Sequence, residues 1–182
     1  MAATSYLIIP GLGGSGPDHW QTKWEALLPN ARRVQQEDWD RPDKDGWIAS
    51  LDKCVAEAKA PLVLIAHSLA CALVAHWAGQ SAHTDKVHGA LLVAPADVDS
   101  TEHTPSESRC FAPMPLELLP FKTLVLASLN DPYIAPERAH YFAACWYGGF
   151  LDVGELGHVN AESNLGDWPL GRDLLTSILP RP

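Results

Sequence analysis

Three residues of this chain have the side chains needed to make a serine attack an acyl group, and each follows shortly after an apolar run. Ser68 follows Leu62–Ala66, Asp131 follows Thr123–Ala127 and His158 follows Phe150–Val153. A serine hydroxyl is a weak nucleophile until a base within hydrogen-bond reach takes its proton. In that chemistry His158 is the base, and Asp131 holds the imidazole in the right tautomer and stabilises its charged form. The segment Ala66-His67-Ser68-Leu69-Ala70 is the most informative. A β-branched apolar run stops at the serine and a helix-forming run starts at once, which is the strand–turn–helix layout of a nucleophile elbow. The turn leaves room only for small residues two before and two after the serine. Glycine is usual there, and alanine stands at both positions here. The alternative for this pentapeptide is a serine capping a buried helix.

Acyl transfer also needs donors for the developing oxyanion. One is the backbone N–H after the nucleophile, that of Leu69, and the other comes from the loop after the first strand. That loop is Pro10-Gly11-Leu12-Gly13-Gly14-Ser15-Gly16, and Leu12 N–H is the candidate. The same glycines fit the G-x-G-x-x-G pattern of a dinucleotide-binding turn. That reading asks for an acidic residue about 20 positions on at the end of a second strand. Glu37 is an imperfect match, and the reading leaves Ser68, Asp131 and His158 unused. No lysine follows the glycines, so a Walker A loop is excluded. Asp97, after the fourth strand, is the rival acid; Asp131 is preferred because it follows the strand before the histidine's and lies in a tight Asn130-Asp131-Pro132 turn. His19, His67 and His76 form no metal-ligand pattern and read as structural. Trp20 and Trp39 lie near strand ends and are candidates to line a pocket.

These residues need a scaffold that gathers strand ends. Six strands are predicted, at Tyr6–Pro10, Ala31–Gln35, Leu62–Ala66, Val87–Ala94, Thr123–Ala127 and Phe150–Val153. The third to fifth are near-continuous apolar runs, as expected of strands covered on both faces. Helical periodicity falls between them, over Trp20–Leu28, Trp47–Ala58, Leu69–Gly79, Pro136–Ala144 and Leu170–Leu179. Alternating strands and helices predict a mostly parallel sheet in an αβα sandwich, with ligands at the carboxyl ends of the strands. The proline-rich stretch Pro95–Pro120 breaks the rhythm. Its apolar second half predicts packing against the body, with Phe111 a candidate pocket wall.

At 182 residues the chain predicts one domain, 1–182, with a substantial core. The net charge of −9 and pI near 5.2, with no basic cluster beyond Arg32-Arg33, argue against nucleic acid and anionic membranes as partners. No apolar run reaches the ~20 residues of a membrane span, and the N-terminus lacks the basic and apolar regions of a signal peptide. Four scattered cysteines, Cys54, Cys71, Cys110 and Cys145, read as reduced, mostly buried thiols of a cytoplasmic protein.

The chain resembles the small serine-hydrolase family that includes the retinoblastoma-binding protein 9 hydrolase and its bacterial relatives. The resemblance spans nearly the whole length. It rests on Ile9-Pro10-Gly11-Leu12-Gly13-Gly14-Ser15 with His19-Trp20, on Ala66-His67-Ser68-Leu69, on Asn130-Asp131-Pro132-Tyr133, and on Gly157-His158-Val159-Asn160-Ala161-Glu162-Ser163 leading to Gly166-Asp167-Trp168-Pro169. It implies a compact α/β-hydrolase without a large cap domain and a Ser68, Asp131, His158 triad. Ala70 departs from the glycine often found there. The expected function is a cytoplasmic carboxylesterase acting on small acyl esters, with no cofactor or metal. The alternatives are a protein-binding module on a hydrolase scaffold with a silent triad, and an amidase or peptidase. The expected partner is a small acyl substrate, and a protein partner is left open.

Overall fold

The computed structural model describes residues 3–180; Met1, Ala2, Arg181 and Pro182, all within the expected domain, lie outside the described residues. Among the described residues six parallel strands, β1 (Ser5–Ile9), β2 (Ala31–Arg33), β3 (Leu62–His67), β4 (Val87–Val93), β5 (Lys122–Ala127) and β6 (Gly149–Asp152), form one sheet in the order β2-β1-β3-β4-β5-β6. The α-helices among the described residues are α1 (Trp20–Leu27), α2 (Lys44–Glu57), α3 (Leu69–Ala78), α4 (Pro136–Cys145) and α5 (Pro169–Leu175). None is long and apolar enough to cross a membrane.

Alternation along the central strands divides the core into two layers. Leu7, Ile9, Leu64, Ala66, Ala90 and Leu92 face a cluster with residues of α2, α3 and α4; Ile8, Val63, Ile65, Leu91 and Val93 face Trp20, Trp24, Trp168 and Leu175. Both faces of the sheet are therefore covered, which is why these strands read as unbroken apolar runs. The chain runs from β1 outward to β2, then returns across to β3 on the other side of β1. This reversal is a topological switch point, where the loops after β1 and β3 part and leave a crevice. The register pairs Ile9 with Ala66 and His67 with Val93, so the glycine loop and Ser68 emerge side by side.

Element ends differ from the expected ones for local reasons. α2 starts at Lys44, three residues before the apolar periodicity, because the Asp43 carboxylate caps it by accepting from Gly46 N–H at 2.8 Å. A polar first turn is invisible to a reading based on apolar spacing. β2 is only Ala31–Arg33, and the chain leaves the ladder after Val34 N–H bonds the Ile8 carbonyl. After Leu175, α5 tightens into a 3-10 turn at Thr176–Ile178. The Pro95–Pro120 stretch has one short 3-10 turn, Ser106–Phe111, and is tied to α4 by Arg138, which pairs with Asp97 at 3.1 Å and Asp99 at 2.7 Å. No cysteine is in a disulfide; Cys71 is buried, Cys54 and Cys145 are half-buried and Cys110 is exposed, fewer buried thiols than expected.

Ala66 and Ala70 flank the turn at Ser68 with no exposed surface. Ala70 lies within the core cluster, where a branched side chain adds volume at a fully buried position. Ala70→Val is expected to destabilise the fold by about 1–3 kcal/mol through overpacking, and Ala70→Gly by about 1 kcal/mol through helix propensity alone. Urea denaturation of the two variants checks this, and a wild-type midpoint for the valine protein would mean a roomier turn.

Candidate active site

Ser68 has φ 58° and ψ −123°, a backbone conformation that L-residues avoid. The strain is held from both sides: Ser68 N–H bonds the Val93 carbonyl at 3.0 Å, and Ser68 carbonyl accepts from Cys71 N–H at 3.0 Å. Gly11 presses against the same turn. A Cβ on Gly11 would lie 2.8 Å from the His67 carbonyl oxygen and 3.0 Å from Ser68 Cβ, so only glycine brings the β1 loop this close. The consequence is that Leu12 and Ser68 line one cavity. Among the described residues, neither Leu12 N–H nor Leu69 N–H donates to a protein acceptor.

The three residues singled out by sequence meet at this turn. Ser68 Oγ donates to His158 Nε2 at 2.7 Å. His158 Nδ1–H faces both oxygens of the Asp131 carboxylate at 2.9 Å. The Asp131 side chain is fully buried and also accepts from Tyr133 N–H at 2.9 Å. Asp97, the rival acid, is committed to Arg138 instead. The loop carrying His158 is fixed by side chains on the loop after β5. Ser128 Oγ accepts from Leu156 N–H at 2.8 Å, and Asn130 Oδ1 accepts from Gly157 N–H at 2.7 Å. Asp131 and His158 are thus held by one interlocked pair of loops.

The cavity over Ser68 has a volume of about 330 Å³, at the small end for ligand pockets. Pro105 and Ser108 of the proline-rich stretch form one wall, and Gly16, His19 and Tyr133 contribute others. Phe111 does not line it. That ring is fully buried, packed edge-on against Trp47 at 5.8 Å, so the stretch reaches the cavity through Ala96, Pro105 and Ser108 while Phe111 anchors it. Trp20 and Trp39 are also absent from the lining: Trp20 is buried against Trp24 and Trp168, and Trp39 packs on Gly14 and Trp47.

His19 and His67, read from sequence as structural, both line the cavity. Their rings meet edge-on at 4.7 Å, and that of His67 is 4.9 Å from His158. His19 Nδ1 accepts from Gln21 N–H at 3.1 Å and caps α1. Burial, followed by the charges of His158 and Arg33, lowers the His19 pKa to about 4. Burial, followed by His158 and His19, holds His67 well below its ordinary value of 6.5. Histidine–tryptophan adjacency at a helix start was the only sequence signal for His19. Among the described residues no three His, Cys, Asp or Glu side chains are grouped to hold a metal.

Two buried neutral histidines predict a sign for acid stability. Below pH 6.5 the unfolded chain takes up protons that the folded state refuses, so stability falls as the pH drops from 6.5, continuing for His19 toward its folded pKa of about 4. Melting temperature should decline steadily over this range. His19→Asn should decline less, because asparagine retains an N-cap acceptor and does not titrate. Equal slopes for the two proteins would show that His19 is not one of the groups responsible.

The fold is shared with known proteins. A YdeN-like hydrolase of Pectobacterium atrosepticum superposes with a TM-score of 0.84 at 32% identity, over 96% of this chain and 90% of that one. The ydeN gene product of Bacillus subtilis superposes with a TM-score of 0.76 at 17% identity, over 97% of this chain and 98% of that one. No curated protein matches the chain by sequence. The model of the Serine hydrolase family matches residues 6–177, nearly the whole length over which the sheet, the turn at Ser68 and the His158 loop are built, and the chain belongs to that family, with the α/β-hydrolase fold.

Proposed function

We propose that the chain is a carboxylesterase that cleaves small acyl esters through a covalent acyl-serine. The observation that carries the reading is the unbroken hydrogen-bond chain from Ser68 Oγ through His158 to Asp131, at 2.7 and 2.9 Å. Ser68 Oγ attacks the ester carbonyl carbon as His158 Nε2 takes its proton. Asp131 keeps the imidazole oriented and stabilises the imidazolium. The tetrahedral oxyanion accepts from the Leu12 and Leu69 N–H groups. His158 then gives the proton to the departing alkoxide, leaving the acyl-serine. A water enters, His158 takes its proton, and the hydroxide attacks the acyl carbon. The proton returns to Ser68 Oγ as the acid leaves. Four cysteines without a disulfide fit the reducing cytoplasm as the setting.

Two expected outcomes test this. Ser68→Ala and His158→Ala should each lower kcat by about 10⁴- to 10⁶-fold, and Asp131→Asn by somewhat less. Ser68→Ala should also abolish labelling by a fluorophosphonate probe and keep its fold, since alanine removes only the hydroxyl. Ester turnover retained by purified Ser68→Ala would end the mechanism. A folded wild-type protein that neither labels nor turns over esters would make it a binding module on a hydrolase scaffold.

The second outcome concerns acyl length. A 330 Å³ cavity buries only a short chain. Each further buried methylene is worth about 0.8 kcal/mol only while there is wall to receive it. Across p-nitrophenyl esters, kcat/KM should peak at acetyl to butyryl and then fall. A steady rise to twelve or sixteen carbons would require a deep acyl channel and refute the small-substrate reading.

A further inference from the structure

Two consecutive carbonyls of the loop bearing the base are gripped from across the sheet. The His158 carbonyl accepts from His67 Nε2–H at 2.9 Å, and the Val159 carbonyl accepts from Trp20 Nε1–H at 2.7 Å. The partners are 91 and 139 residues apart in the chain, and both bonds are buried. Val159 has φ 49°, and Gly157 on the other side of His158 has φ 59°. A β-branched residue in the left-handed region persists only where its surroundings over-determine it. The two donors, with Asn130 on Gly157 N–H, supply that determination.

His67 is also the residue before the nucleophile. One dipeptide, His67-Ser68, therefore presents the attacking oxygen and grips the main chain of the residue that must deprotonate it. We propose that His67 is a positioning residue for the base: together with Trp20 it holds the His158–Val159 backbone so that His158 Nε2 lies within reach of Ser68 Oγ. The role requires a proton on Nε2, because a carbonyl can only accept, and the neutral imidazole with its proton there meets the requirement. The surroundings favour that state. His67 is buried, with His19 edge-on at 4.7 Å, Trp20 at 6.1 Å and His158 at 4.9 Å. A cation there would also oppose the imidazolium that His158 becomes when it takes the Ser68 proton.

The inference rests on the Ser68–His158 chemistry proposed above, and the test separates the two. His67→Gln places an amide N–H where Nε2–H stands, and His67→Met fills similar space without a donor. Each is measured by ester kcat and KM, by the rate of Ser68 labelling with a fluorophosphonate, and by melting temperature. His67→Met should lower kcat and the labelling rate together by about 10- to 100-fold with KM within about twofold, the pattern of a misplaced base rather than a lost binding contact. His67→Gln should recover to within about threefold of wild type. Trp20→Phe, which keeps a ring in the aromatic cluster and removes only the second donor, should show the same signature to a smaller extent. Wild-type kcat and labelling in a folded His67→Met protein overturn the proposal. A His67→Gln protein that melts like wild type yet is as slow as His67→Met also overturns it. Should His67→Met fail to fold, Trp20→Phe and His67→Gln decide the matter by the same readouts: wild-type kcat and labelling in Trp20→Phe, or a folded His67→Gln slowed about 10-fold or more, overturns the proposal. A wild-type protein that labels but turns over no ester removes the substrate reading and leaves the labelling rates to decide the role of His67. A wild-type protein that does not label removes both.

Discussion

The site depends on one constraint, the forced turn at Ser68. A serine at φ 58° and ψ −123° stays there only because its neighbours leave no alternative. Its N–H is tied to the Val93 carbonyl, Ala66 and Ala70 pack on either side without exposed surface, and Gly11 closes from the β1 loop. The same contacts set the rest of the geometry. Holding the turn brings the β1 loop against the nucleophile, with Gly11 packed on Ser68 and on the start of α3 at Leu69. Local strain at one residue is thus balanced by packing across three strands.

The opposite side of the site is built by a different principle. Asp131 and His158 lie on loops, and loops are ordinarily the variable part of a fold. Here the loops after β5 and β6 bind each other through Ser128 and Asn130, and side chains from the other half of the sheet grip the far end. Val159 and Gly157 hold the backbone in left-handed conformations on either side of the imidazole. Polar side chains supply rigidity that regular secondary structure does not provide at this position.

This division explains which features were legible in the sequence. β3 and β4 could be found because both faces are covered and every residue from Leu62 to Ala66 is apolar. Ser68 could be found because the change from strand to helix is abrupt and local. His158 and Asp131 could be found because each follows a recognisable strand. The roles of His67 and Trp20 left no comparable trace, since a bond between residues 91 or 139 apart has no periodicity and no fixed spacing. Phe111 shows the same limit in another form. Apolar character in the proline-rich stretch announced burial, but not whether the ring would face the cavity or the core, and it faces the core. The start of α2 was missed because a carboxylate cap and a polar first turn lie outside any apolar pattern.

β6 places the base at one of the two weak margins of the sheet. It is four residues long, lies at the edge, pairs only with β5 and buries none of its side chains fully. The nucleophile, in contrast, stands at the centre, between β1 and β4. Opening free energies in a folded protein range from near zero at frayed edges to the global value in the core. The margin that carries β6 and the loop beyond it can therefore detach while the central strands remain intact. An intact core would then still present a serine, with no base beside it. Separating base from serine by fraying of this edge therefore takes less free energy than melting the molecule, and the Ser128, Asn130, His67 and Trp20 bonds are what oppose it.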